Sequence, residues 1–152
     1  MATYVRYEAD GWGVGELVFE DDRLAWHELP RPCVGAADGS HPLAERLRSY
    51  FGGKRVDFAD VELEAGGWTE FRHAAVDALR RVPWGEVVTY GELAALAGRP
   101  NAQRAAGSVC AGNPFPIVVP CHRVVSATGI GPYGSLGSEY KQRLLALEHV
   151  VL

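Results

Sequence analysis

The hydrophobic pattern changes its period near Gly67, and this change limits the possible folds more than any other feature of the sequence. Before Gly67, short runs of β-branched and aromatic residues alternate with turns rich in Gly and Asp, as in antiparallel strands. After Gly67, apolar residues recur three or four positions apart, as on one face of a helix. A chain of 152 residues suffices for one ordinary domain or two small ones. We therefore predict an α/β protein of the α+β type, with a strand-rich domain over residues 1–67 and a mainly helical domain over residues 68–152.

The first part of the chain predicts a small sheet and one helix. Runs rich in β-branched and aromatic residues, the first two joined as a hairpin, predict strands over residues 2–7, 15–19 and 24–29. Pro and Gly over residues 31–40 predict a loop. Leu43 and Leu47, at helical spacing, predict a helix that ends at Gly52. An acidic linker over residues 61–67 then leads into the second part.

The second part contains the pattern of a helix-turn-helix. Helical spacing predicts helices near residues 69–82, 90–96 and 102–111. Thr89-x-x-Glu92 is a capping box, because the Thr hydroxyl accepts a hydrogen bond from the amide three residues on while the Glu carboxylate reaches back. Asn101 is the expected cap of the last of these helices. Two short helices joined by about four residues match the helix-turn-helix pattern, and they equally match two helices that merely pack together.

The helix over residues 102–111 consists almost entirely of small residues, and Arg104 is its only charge. So slim a helix can approach another backbone closely, whether of protein or of nucleic acid. The alternative is a helix that packs on its neighbour and leaves Arg104 in solvent. Residues 1–67 hold 7 Lys and Arg against 13 Asp and Glu, a net charge of −6, whereas residues 68–152 hold 8 against 6, a net charge of +2. This asymmetry favours the second part as the one that meets a polyanion.

Cys121 and His122 form a candidate catalytic pair. Residues 117–119 predict an extended segment, and Pro120 prevents that segment from continuing as a central strand, so Cys121 follows at a break. The thiolate is the reactive form of cysteine, and a neighbouring imidazole together with the cationic Arg123 is expected to raise the thiolate fraction. The alternative is a buried and inert cysteine, which is the commoner case.

The segment around this pair resembles a known active-site signature. Residues 113–125 read Asn-Pro-Phe-Pro-Ile-Val-Val-Pro-Cys-His-Arg-Val-Val, which closely resembles the signature of the O6-alkylguanine-DNA alkyltransferases, the methylated-DNA–protein-cysteine methyltransferases. The resemblance extends over residues 69–150 and implies a C-terminal domain with a winged helix-turn-helix. Residues 1–67 resemble the family's variable N-terminal domain only in length and in the order of strands and helix.

The resemblance implies DNA repair by direct reversal of damage. Members of this family turn an alkylated guanine, chiefly O6-methylguanine, out of duplex DNA and move the alkyl group irreversibly to a cysteine; O4-methylthymine is an expected second substrate. Cys121 would be the acceptor, and His122 the base that acts through a water molecule. Glu148 would orient the imidazole. Asn113 would tie the helix-turn-helix to the active-site segment, and Tyr90 would push on the target phosphate and donate a proton to the departing base.

The resemblance also implies which residues meet the DNA and the lesion. Arg104 would fill the stack that the extruded base vacates, while its helix lies in the minor groove, where little sequence information is available. The residues implied at the DNA surface are Arg104, Tyr90, Ala102, Ser108 and Arg123. Those implied at the substrate pocket are Tyr133, Ser135 and Lys141.

The loop over residues 129–137 departs from the family's pattern. Family members carry the loop tyrosine one residue farther from the cysteine, in a Gly-x-Tyr-x-Gly-Gly context. Here Tyr133 comes earlier and the Gly-Gly pair is missing, although Ser135 falls in step. The departure predicts a pocket of altered size and a changed range of accepted alkyl groups.

No metal or cofactor is expected. Some relatives hold zinc in the N-terminal domain, and here His27, Cys33 and His41, with His73 farther on, are the residues to consider. They lack the close ligand spacing of a zinc site, so solvated histidines and an isolated thiol are the better interpretation. Cys110 is interpreted as a small packing residue.

The expected partner is double-stranded DNA that contains O6-alkylguanine, bound by a monomer. Three cysteines and no apolar leader or membrane span favour a cytoplasmic protein. Two alternatives remain. An alkyltransferase-like protein binds the lesion without chemistry, but such proteins replace the cysteine that is present here. A Cys-His hydrolase is disfavoured, because no oxyanion-hole motif occurs.

Overall fold

The computed structural model describes residues 1–32 and 35–151, and within them the predicted mixed α/β class is confirmed. The strands are β1 (Ala2–Ala9), β2 (Gly13–Glu20), β3 (Arg23–Arg31), β4 (Val88–Thr89) and β5 (Val124–Val125). The helices are α1 (Pro42–Phe51), α2 (Glu70–Arg80), α3 (Tyr90–Leu96), α4 (Gln103–Ala111) and α5 (Gly137–Leu147), and a single 3-10 turn spans Cys121–Arg123. The chain forms two compact units, the first over residues 1–65 with 114–118 and the second over residues 66–113 with 119–152.

The first unit is an antiparallel sheet in the order β1-β2-β3, with α1 against it. The predicted hairpin is confirmed, and both strands extend beyond the predicted bounds. Val5, Tyr7 and Ala9 alternate as the buried face of β1, while α1 buries Leu43 and Leu47. The predicted end of α1 at Gly52 is also confirmed. Cys33, which the loop prediction and the metal prediction both include, lies outside the described residues.

Residues 114–118 belong to the first unit, although their place in the sequence lies within the predicted second domain. The backbone amide of His27 on β3 donates to the Pro114 carbonyl oxygen at 2.8 Å. The predicted extended run over residues 117–119 is wrong. Ile117 takes a positive φ of 74° in a turn, because the segment reverses where its carbonyls meet β3.

The second unit contains the predicted helix-turn-helix of α3 and α4, with α2 packed against both. The Thr89 capping box of α3 is confirmed, with both hydrogen bonds present. The prediction that Asn101 caps α4 is wrong. Ala102 is the N-cap and makes no side-chain cap bond, whereas Asn101 has a φ of 73°. Asn tolerates this left-handed conformation better than most residues, and here it turns the chain rather than capping the helix.

Two short parallel strands complete the second unit next to α5. Val88 pairs with Val124 and Thr89 with Val125, so the residues that enter α3 lie beside the residues that follow the Cys121 turn. Val124 is fully buried and Val125 nearly so. In residues 1–32 and 35–151 no helix has both the length and the apolar composition that crossing a bilayer requires.

Candidate active site

Cys121 lies at the first position of a 3-10 turn whose geometry is set by Pro120. The Cys121 amide donates to the Val119 carbonyl oxygen at 2.8 Å, and the Arg123 amide donates to the Pro120 carbonyl oxygen at 2.9 Å. Pro120 has no amide hydrogen and cannot extend a strand ladder, so the chain curls at this position. The turn leaves Cys121 7% exposed.

Asn113 holds the sulfur and the chain on either side of Pro120. Its Nδ2 group donates to the Val119 carbonyl oxygen at 2.8 Å and to Cys121 Sγ at 3.1 Å. The residue directly follows the end of α4 at Gly112, so the amide that touches the sulfur is fixed to the helix-turn-helix. A donor aimed at sulfur stabilises the thiolate more than the thiol.

The Cys121 thiol is nevertheless neutral at rest. Burial raises its pKa, and the hydrogen bond from Asn113, the nearby hydroxyl of Tyr133 and the charge of Lys141 only partly oppose that rise. The prediction that Arg123 would promote ionisation is wrong, because its guanidinium is bonded to Glu148 instead. The site therefore holds a thiol that becomes a strong nucleophile only when its proton is removed.

His122 and Glu148 form a buried pair next to the thiol in sequence. His122 Nε2 lies 2.6 Å from Glu148 Oε2, and both side chains are inaccessible to solvent. Burial lowers the pKa of His122, so its ring is neutral at pH 7. Glu148 is ionised and accepts only, which puts the ring proton on Nε2 and leaves the lone pair on Nδ1. Nδ1 is therefore the basic nitrogen of His122.

Glu148 is ionised because its partners outweigh its burial. Burial alone raises the pKa of Glu148, but the hydrogen bond and charge of His122, followed by those of Arg123, hold the pKa well below its usual range. Arg123 Nε and Nη2 donate to the carboxylate at 2.9 and 3.1 Å, and the Gly85 amide adds a bond at 3.2 Å. The carboxylate follows the end of α5, where the backbone aims it at the Cys121 turn.

Arg123 cannot serve as the predicted DNA contact. It is 8% exposed, and Nη1 also donates to the Val82 carbonyl oxygen at 2.7 Å. With the guanidinium committed to Glu148 and a backbone carbonyl, it acts as the buried counter-ion of the His122–Glu148 pair. A buried carboxylate needs such a partner, because an isolated charge in the interior is unstable.

Tyr90, Tyr133 and Lys141 surround the sulfur. Tyr90 is the first residue of α3, and burial raises the pKa of its hydroxyl, which stays protonated. The Tyr133 hydroxyl lies close enough to Cys121 to lower the pKa of its thiol, so the loop tyrosine faces the sulfur despite its altered spacing. The Lys141 ammonium lies 5.8 Å from the centre of the Tyr90 ring. The structure thus brings together Tyr133 and Lys141, which are predicted pocket residues, and Tyr90, which is predicted both for catalysis and for DNA contact.

Lys141 also supports the loop backbone. Its side chain is fully buried, and Nζ donates to the Val124 carbonyl oxygen at 2.5 Å and to the Pro132 carbonyl oxygen at 3.3 Å. Burial lowers the pKa of this ammonium. Lys141 therefore joins the strand after the Cys121 turn to the loop that carries Tyr133. Ser135, the third predicted pocket residue, is exposed on that loop.

The face of α4 carries the remaining predicted DNA contacts. Arg104 and Ser108 are exposed, and Ala102 is half-buried at the helix start. The Ser108 hydroxyl donates to the Arg104 carbonyl oxygen at 3.2 Å, one turn back. Gly107 lies against the ring of Tyr90, since a Cβ built there would be 4.0 Å from the nearest ring atom. That distance is an ordinary van der Waals contact.

The histidines considered for metal binding have other partners. His27 bonds to Tyr7 and to the Pro116 carbonyl oxygen, His41 accepts the Leu43 amide at the start of α1, and His73 packs on Trp68. Across the described part of the chain, no group of three or more His, Cys, Asp or Glu side chains is arranged to hold a metal ion.

Fold and site together define a DNA-binding protein built around a reactive cysteine, in which a helix-turn-helix adjoins a thiol and a His–Glu pair. Residues 70–150 match the family model of the 6-O-methylguanine DNA methyltransferase DNA-binding domain. A methylated-DNA–protein-cysteine methyltransferase from Mycolicibacterium paratuberculosis is 44% identical over 134 residues, which cover 88% of this chain and 75% of that protein. The corresponding protein of Metallosphaera sedula is 42% identical over 151 residues, covering 97% and 94%.

Solved structures agree with these sequence matches. The crystal structure of Mycobacterium tuberculosis O6-methylguanine methyltransferase has a TM-score of 0.79 at 33% identity, covering 97% of this chain and 93% of that one. A structure from the same organism in complex with DNA has a TM-score of 0.77 at 32% identity, covering 96% and 92%. The chain belongs to the family of methylated-DNA–protein-cysteine methyltransferases.

Two functional features escaped the sequence argument. The Arg123–Glu148 ion pair joins residues 25 positions apart, and nothing local reveals it. The burial of Lys141 had a signal, because Leu144 and Leu145 follow it three and four positions on, along the apolar face of α5. A lysine in that stripe points toward the core.

Proposed function

We propose that this protein repairs alkylated guanine in duplex DNA by moving the alkyl group from the O6 atom to Sγ of Cys121. The alkyl carbon forms a bond to sulfur as its bond to O6 breaks, and the guanine leaves with the bonding electrons. The thioether product is stable, so each molecule acts once. The contact that best supports this assignment is the 3.1 Å hydrogen bond from Asn113 to Cys121 Sγ, beside a buried His–Glu pair.

The proton balance follows from the protonation states. The thiol proton passes through a water molecule to Nδ1 of His122, and the imidazolium that forms is stabilised by the ionised Glu148. The departing guanine takes a proton from the hydroxyl of Tyr90, whose raised pKa keeps it protonated until then. The imidazolium of His122 then returns its proton through water to the Tyr90 phenolate, so the net change is the transfer of one proton from the thiol to guanine.

Recognition of the lesion requires that the base leave the duplex. Extrusion costs a few kcal/mol and is easiest for a damaged pair, and a side chain must fill the gap. Arg104 is exposed on a helix of small residues and suits that role, and Ala102 and Ser108 are proposed to contact the adjacent backbone. Tyr133 and Ser135 are proposed to line the pocket. The need for a reduced thiol supports a cytoplasmic location.

Mass spectrometry after incubation with an O6-methylguanine duplex tests the proposal. We expect one methyl group per protein, located on the peptide that contains Cys121. Cys121→Ser should bind the lesion and gain no methyl group, whereas the matched variant Cys110→Ser should be methylated as in the wild type. Lesion binding by the wild type without an adduct would overturn the transfer reaction and indicate an alkyltransferase-like protein, and an adduct on Cys110 would overturn the residue assignment.

A further inference from the structure

His27 lies at the centre of a buried hydrogen-bond chain that the transfer mechanism does not use. Its side chain is 1% exposed on β3. Nε2 lies 2.6 Å from the Tyr7 hydroxyl, and Nδ1 lies 2.7 Å from the Pro116 carbonyl oxygen. Burial lowers the pKa of His27 to about 4, so the ring is neutral at pH 7.

The partners fix the tautomer of this ring. A carbonyl oxygen only accepts, so Nδ1 carries the proton and donates to Pro116. Nε2 then accepts from the Tyr7 hydroxyl. Tyr7 itself lies over Gly15, its cross-strand partner, where a Cβ would be only 2.7 Å from the tyrosine ring. The missing side chain at position 15 gives Tyr7 the space to reach His27.

The carbonyl that His27 holds belongs to a strained turn. The next residue, Ile117, has a φ of 74°, a left-handed conformation that is a genuine outlier and strained for a β-branched residue. Such strain persists only where the surroundings fix the backbone on both sides. His27 supplies two of these restraints, since its amide bonds to the Pro114 carbonyl and its ring to the Pro116 carbonyl.

The strained turn leads directly to the nucleophile. Cys121 follows Ile117 by four residues, and the base of the turn is closed by the hydrogen bond from Asn113 to Val119. That same Asn113 side chain donates to Cys121 Sγ. If the turn relaxes toward an extended conformation, the segment between Asn113 and Cys121 lengthens. The Asn113 amide then cannot keep its bonds to both the Val119 carbonyl oxygen and Cys121 Sγ.

We infer that His27 is a positioning residue for alkyl transfer, which keeps Cys121 in register with Asn113 by holding the Pro116 carbonyl in the strained turn. The inference rests on the proposed function. It gives His27 a defined task in the reaction, carried out through the backbone carbonyl of Pro116.

Two isosteric substitutions separate this role from general stabilisation. The amide of His27→Asn falls near Nδ1 of the original ring and can still donate to Pro116, whereas the amide of His27→Gln falls near Nε2 and can meet only Tyr7. Both place one polar amide in the same buried site. Tyr7→Phe is the third variant, because it removes a hydrogen bond from the chain and leaves the bond to Pro116 intact.

The rate of methyl transfer should be measured in single turnover with saturating O6-methylguanine duplex, per folded molecule, together with the affinity for the duplex. We expect His27→Gln to be slower by about 10- to 100-fold, as for a misplaced reacting group, with DNA affinity unchanged. His27→Asn and Tyr7→Phe should stay within a few-fold of the wild type. Equal transfer rates for His27→Gln and His27→Asn would overturn the inference. A transfer rate that falls as far in Tyr7→Phe as in His27→Gln would also overturn it.

A second measurement needs no lesion. Alkylation of Cys121 by iodoacetamide, followed across pH by peptide mapping, reports the apparent pKa of the thiol. In His27→Gln the pKa should rise as the Asn113 bond is lost, and in His27→Asn it should match the wild type. An unchanged pH profile in His27→Gln would overturn the inference. A wild type that is never methylated by lesion DNA would overturn the proposed function, while the pH profiles would still decide the position of Cys121.

Discussion

Replacing Glu148 with Gln removes one charge from the most buried ion pair of the site. The wild-type carboxylate accepts from His122 and Arg123 and is inaccessible to solvent. Gln keeps the shape but leaves the Arg123 guanidinium without a counter-charge in the interior. Breaking such a pair from one side costs about 3–5 kcal/mol, which for a chain of this size lowers the Tm by about 6–20 °C. We expect the loss of unfolding free energy and the fall in Tm of Glu148→Gln at pH 7 to lie in these ranges.

The pH dependence of the stability difference shows whether the charge of Glu148 causes it. The folded-state pKa of Glu148 is depressed, so the stability it contributes is present above the unfolded value, about 4.3, and is lost as the pH falls below that value. Thermal unfolding of wild type and Glu148→Gln should therefore differ most at pH 7 and converge in acid. Glu86→Gln, at an exposed carboxylate, is the control and should change stability by less than about 0.5 kcal/mol. A difference that persists unchanged at low pH, or a loss at pH 7 no larger than that of the control, would refute the electrostatic argument.

Three further changes test other parts of the molecule. Arg104→Ala should slow repair of the duplex and slow reaction with free O6-methylguanine much less, because only the duplex has a gap to fill; equal losses in a rate assay would remove Arg104 from that role. Lys141→Met should lower the transfer rate and leave duplex affinity intact, because it frees the loop backbone held by Nζ; a loss confined to affinity would contradict this. Gly15→Ala should destabilise the fold by about 1–3 kcal/mol in urea titration, since its methyl group collides with the Tyr7 ring, and an unchanged midpoint would contradict the packing.

The parts of the fold that the sequence predicts well depend on local interactions. The capping box at Thr89 and Glu92 brings donors and acceptors together within one turn, so its residue types alone specify it. The hairpin of β1 and β2 follows from alternation and glycine turns in the same way. Asn101 shows the limit of this reasoning. Asn suits both a helix cap and a left-handed turn, and the path of the chain between α3 and α4 selects the turn.

The predicted site residues differ in how far sequence reasoning describes them. The resemblance assigns roles to Cys121, His122 and Glu148, and the structure adds the tautomer of His122 and the neutral state of the thiol. Both depend on burial, which a sequence does not encode position by position. The predicted role of Arg123 fails for the same reason, because a positive charge beside a nucleophile suggests a contact with DNA or thiolate until its carboxylate partner is known.

The neutral, nearly enclosed sulfur of Cys121 has a consequence for the lifetime of the molecule. Peroxides and small electrophiles attack thiolates far faster than thiols, and an oxidised sulfur accepts no alkyl group. A protein that works only once gains nothing from being reactive beforehand. A thiol that stays neutral at rest therefore preserves intact molecules, and their number sets how many lesions a cell can remove before it must synthesise more.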